Sequence, residues 1–109
     1  MKTNVTTVLE NCTSIKKDAS IEPRIIIQLL ATSLCLMLSE SVGMAKDLFK
    51  IIPAGIPQKG AQKIACERLE LAETRAKEQF KHFVSSLIIN AKECEKVISA
   101  FNADINSII

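Results

Sequence analysis

Through the second half of the chain the apolar residues recur as Ala61, Ala65, Leu69, Ala72, Ala76, Phe80, Phe83, Leu87, Ala91, Cys94, Ile98, Phe101, Ile105 and Ile108. The steps are 4,4,3 three times over and then 4,3,4,3. That is a helical stripe, and after Gly60 no glycine or proline interrupts it. The pattern predicts a helix over about 58–109. A repeat that averages close to 3.67 residues keeps such a stripe nearly straight.

Upstream, Ile27, Ala31, Leu34, Leu38, Val42, Ala45, Phe49 and Ile52 form a second stripe. It predicts a helix over about 21–52, with Ser20 as N-cap and Pro23 tolerated in the first turn. Val5, Val8, Leu9, Cys12 and Ile15 give a short third stripe over about 3–17, in residues of poor helix propensity. Pro53-Ala54-Gly55-Ile56-Pro57 cannot continue a helix. A short connection makes the two long helices antiparallel neighbours, and facing residue numbers then sum to about 110.

The expected fold class is all-α: a long antiparallel helical hairpin with a short N-terminal helix. If helix 1 runs in line with helix 2, residue 3 faces about 107 and the particle is about 75 Å long at 1.5 Å per residue. The alternative is a compact four-helix bundle, in which the last helix bends near Ser85-Ser86 or Asn90 and folds back. Either way 1–109 reads as a single helical domain, with Ile27, Leu34, Leu38, Leu69, Phe80 and Leu87 buried. Gly43, mid-helix, marks a close helix approach or a slight kink.

Composition narrows the core. Hydrophobic residues make up 48% of the chain, but there are only four Phe and no Trp or Tyr, so the core is aliphatic. Residues 1–57 hold six Lys/Arg against five Asp/Glu, and 58–109 hold eight against seven. With both halves near neutral, no basic surface invites nucleic acid, and no exposed Tyr or Trp is present to stack on bases.

Candidate chemistry is sparse. Glu78 and His82 stand at i, i+4, but no second such pair completes a metal site, and the carboxylate–His bundle pattern of Glu-x-x-His has Lys81 in its place. Glu67, Glu70 and Glu73 lie among Lys63, Arg68, Arg75 and Lys77 and read as a solvated face, with Glu73 and Lys77 suitably spaced for an ion pair. Gln58-Lys59-Gly60-Ala61-Gln62-Lys63 lacks the spacing of a phosphate loop. Cys12, Cys35, Cys66 and Cys94 lie on or beside apolar stripes, far in sequence from the one His, and read as small core residues rather than nucleophiles. Cys12 and Cys94 come nearest in register, yet a disulfide is not expected. The expectation is no enzyme, no metal and no cofactor.

The run from Ile25 to Leu38 is apolar nearly all round. Its 14 residues span about 21 Å, short of the ~20 residues a bilayer crossing takes. Ile26, Leu29, Leu36 and Met37 point away from the line Ile27, Leu34, Leu38. The one covering layer cannot reach them, so a protein partner is expected there, most simply a second copy. The function class this suggests is a helical protein–protein interaction module: an adaptor, a small chaperone or an inhibitor-like partner of a helical client. The alternative is a membrane-active or membrane-anchored hairpin using 25–38. With no apolar leader after Met1 and no paired cysteine motif, the expected setting is cytoplasmic.

Overall fold

The computed structural model describes residues 3–16, 22–51 and 58–109. The N-cap candidate Ser20 and the turn at 53–57 lie outside them, as do the stripe position Ile52 and the side chains of Phe49 and Ala61. Within the described residues the chain is all-α, with helices α1 (Asn4–Glu10), α2 (Pro23–Ile51), α3 (Gln58–Leu87) and α4 (Ala91–Ile108). α2 and α3 form the antiparallel hairpin. Ser41 and Ala45 of α2 line one groove with Leu69 and Ala65 of α3, close to the expected facing sum of about 110.

The single helix expected over 58–109 is two helices, because the chain breaks at Ile88–Asn90. Asn90 takes an extended backbone, φ −80° and ψ 120°, and its side chain accepts from the N–H groups of Lys92 at 2.9 Å and Glu93 at 3.3 Å. Those N–H groups belong to the first turn of α4 and have no helical acceptor, so the N-cap compensates for the interruption. α4 then folds back on α3. The longest dimension is 58 Å rather than about 75 Å at 1.5 Å per residue.

Helix 1, expected over 3–17, ends at Glu10. Residues 12–16 lie outside any helix, and Ile15 forms an isolated antiparallel bridge with Ile88. The Lys16 N–H donates to the Leu87 carbonyl at 2.9 Å, and the Ile89 N–H to the Ser14 carbonyl at 3.0 Å. The break after α3 and the early end of α1 thus satisfy each other's backbone groups. Thr3 caps α1 through its hydroxyl.

The core sits where all four helices meet. Ile27, Ala31, Leu34 and Leu38 of α2 pack with Ala76, Phe80 and Val84 of α3 and Ile88 after it. Val97, Ala100, Phe101 and Ile105 of α4 and Val5 and Leu9 of α1 close it. The Phe80 and Phe101 rings stack with centroids 4.0 Å apart, and neither ring is exposed. Leu69 and Leu87, expected in the core, are only half-buried. For Leu69 the reason is position. Among the described residues none after Leu38 in α2 and none before Ala76 in α3 is buried, so the distal hairpin is two helices with no third layer.

Candidate interaction surface

At about 100° per residue, Ile25, Leu29 and Leu36 fall within about 40° of one another on α2, directly opposite Ile27, Leu34 and Leu38. Ile26, Met37 and Met44 form a second row on one flank of that stripe. The fold-back of α4 does not reach this face. Ile25 is 51% exposed, Leu29 61%, Leu36 59%, Met37 63% and Met44 73%, and only Ile26 is half-buried. Leu29, Leu36 and Met37 are therefore on the surface, as the sequence pattern implies. Ile25 and Met44 complete the face. The signal for both was helical spacing, one turn before Leu29 for Ile25 and two turns after Met37 for Met44.

Beyond the core the face meets a groove of about 570 Å³ between α2 and α3. Met44 and Ala45 line one side, and Ile64, Ala65, Arg68 and Leu69 the other. Ile64 at 55% and Leu71 at 50% are exposed on α3. Gly43 has nothing within 4 Å of where a Cβ would sit, so it marks no close helix approach.

The other constellations stay dispersed. Among the described residues no group of three or more His, Cys, Asp or Glu could hold a metal ion. Glu78 and His82 are both exposed. Glu67 and Glu70 are exposed, while Glu73 pairs with Lys77 at 2.7 Å. The four cysteines are free. Cys12 is buried and Cys35 and Cys94 are half-buried, but Cys66 is exposed, against the expectation of a core position. Burial pushes the Cys12 thiol up, and the nearby Glu93 carboxylate adds to it, against Arg24 and Lys96. Burial likewise raises Cys35, with Asp104 contributing. Both thiols are held away from the thiolate form that a nucleophile needs.

Two acidic side chains of α4 do structural work that the sequence pattern did not reveal. Asp104 accepts the N–H groups of Asn4 at 3.1 Å and Val5 at 3.3 Å, at the positive end of α1. Glu93 accepts from Thr13 and Ser14 beyond the other end of α1. Those backbone N–H groups hold the Glu93 carboxyl below its usual range. Arg24 donates to the Cys12 carbonyl and Gln28 to the Thr6 hydroxyl, fixing α1 to α2. Of these contacts only those of Arg24 and Gln28 lie on α2, on a flank away from Leu36 and Met37.

The sequence matches no protein-family model, no curated protein and no solved structure.

Proposed function

We propose that the chain is a helical protein–protein interaction module, of the adaptor, small-chaperone or inhibitor-like kind, with the outward face of α2 as its docking surface. One observation carries the reading. Five large apolar side chains on a single helix remain more than half exposed although the four described helices pack around one core. Such a contiguous face marks a binding site. Presenting it on a rigid helix rather than a loop suits a helix-to-helix contact with a helical partner. Four free thiols support a cytoplasmic setting, and no catalytic role forms part of the proposal.

A second reading has its own support. α2 over Pro23–Asp47 is long and apolar enough, by length and composition, to cross a membrane. Against it, α2 supplies four of the buried core residues, and Glu40 interrupts the apolar side. A photo-crosslinking amino acid in place of Leu36, activated in intact cells, separates the two. Adducts with protein support the module. Adducts with lipid alone, or none, overturn it.

A further inference from the structure

Away from the outward face of α2, we propose that residues 13–16 form an acid-released strap: Glu93 of α4 latches them across the break between α3 and α4, and protonation of its carboxylate lets them lift while the four helices stay folded. The segment lies outside any helix. Thr13 and Lys16 are exposed, and Ser14 and Ile15 are half-buried. Hydrogen bonds therefore hold it more than packing does. Two run to the main chain of the break, from the Lys16 N–H to the Leu87 carbonyl and from the Ile89 N–H to the Ser14 carbonyl. Three run to Glu93. The Thr13 N–H and hydroxyl donate to one carboxylate oxygen, and the Ser14 N–H donates to the other.

This latch needs the ionised acid. A carboxylate accepts at both oxygens, whereas the protonated group carries a hydrogen on one of them and loses acceptor capacity there. The bonds that remain also lose the strength that charge lends them. The coupling to the strap is direct. Donors of Thr13 and Ser14 hold the Glu93 carboxyl below its usual range, and among the described residues no charged side chain adds to them. By linkage, a contact that favours the ionised form is weakened by proton uptake. The other charges at this end are Arg24 of α2 and Lys96 of α4, which act with Glu93 on the Cys12 thiol. From α3 comes only the uncharged Leu87 carbonyl. Arg24 holds the Cys12 carbonyl and keeps its charge in acid, so the opening starts beyond Cys12, at Thr13. Lifting frees the Leu87 carbonyl and the Ile89 N–H, a short open edge of the kind an extended segment pairs with.

Amide exchange of the full-length chain, followed residue by residue by NMR and corrected for the intrinsic pH dependence of exchange, reads the strap directly. From about pH 7 to about pH 3, across the carboxylate range, protection at Lys16 and Ile89 falls several-fold. Amides around Phe80 and Phe101 keep theirs. The fall follows the titration of the Glu93 carboxyl carbon in the same samples, which assigns it without any variant. Glu93→Gln shows the reduced protection at Lys16 and Ile89 already at neutral pH, and acid lowers it no further. Protection at Lys16 and Ile89 that is unchanged in acid overturns the inference. So does a loss shared by the core amides, which is global unfolding, a loss that follows some other carboxylate, or an acid response that persists in Glu93→Gln.

Discussion

One carboxylate oxygen of Glu93 accepts both the backbone N–H and the hydroxyl of Thr13, each at 3.1 Å, across 80 residues of sequence. The other accepts the Ser14 N–H at 2.9 Å. Glu93 stands in the first turn of α4, three residues after the Asn90 cap, where a capping box would turn its side chain back on the cap. Here it reaches across instead and holds the segment that follows α1. With Asp104 at the start of α1, two acids of one helix secure both ends of another.

The Glu93 contacts make stability depend on pH in a definite direction. Backbone N–H groups of Thr13 and Ser14 lower its folded pKa, while the unfolded chain keeps an ordinary value of about 4.3. The unfolded state therefore binds the proton more readily. The Glu93 contribution is complete above the unfolded value and disappears as pH falls through the lower folded one. Glu93→Gln lowers the Tm at pH 7. The gap between variant and wild type narrows on acidification below about pH 4. Thermal melts across pH check this, and a gap that widens in acid contradicts the assignment.

Phe80 and Phe101 join α3 to α4 at the centre of the core. Either residue changed to Ala costs about 3–5 kcal/mol, the range for buried aromatics. Their direct stacking adds a coupling of about 0.5–1.5 kcal/mol in a double-mutant cycle. Urea melts of the two single variants and the double variant measure it. Additive losses would mean that the two rings do not pack on each other.

Leu34 and Leu29 share a helix but not an environment, at 5% and 61% exposed. Leu34→Ala costs about 2–5 kcal/mol. Leu29→Ala changes stability by less than about 0.5 kcal/mol. Equal losses at the two sites would place the wrong face of α2 inward.

Asn90 is where the long apolar stripe gives way. Asn90→Ala removes the acceptor for Lys92 and Glu93 and costs about 1 kcal/mol. Denaturant titration checks it. An unchanged or raised stability would show that α3 and α4 fuse into one helix when the cap is lost.

The same position shows what the sequence could and could not reveal. The all-α class and the pairing of α2 with α3 were legible, because the helical period acts locally. The break was not, because apolar doublets hide it. Phe83-Val84, Leu87-Ile88 and Val97-Ile98 each offer either of two phases. The stripe runs on through Phe83, Leu87 and Ile98, while the structure buries Val84, Ile88 and Val97. Nor could any local pattern show that Lys16 and Ile89 would complete the backbone hydrogen bonds at the break, since the partners come from opposite ends of the chain. The outward face of α2 was legible as a surplus only for an unbroken last helix, since a fold-back was the arrangement expected to cover Leu29, Leu36 and Met37; α4 does fold back, and it leaves them exposed.

The distal hairpin is where the fold should open first. No described residue beyond Leu38 in α2 or before Ala76 in α3 is buried, so amides there rely on helix formation with little tertiary support. Gly43 lies in this stretch and weakens it further, since glycine in a helix interior costs about 0.5–1 kcal/mol relative to Ala. Space is open at this position, with nothing within 4 Å of a Cβ. Gly43→Ala therefore gains about 0.5–1 kcal/mol of local helix stability without steric cost. Hydrogen exchange locates the gain. Amides of 40–47 and 63–72 exchange faster than those around Phe80 and Phe101 in the wild type, and Gly43→Ala slows the first group while leaving the core amides unchanged. Equal protection at the two ends of the hairpin would mean that something further covers the distal part.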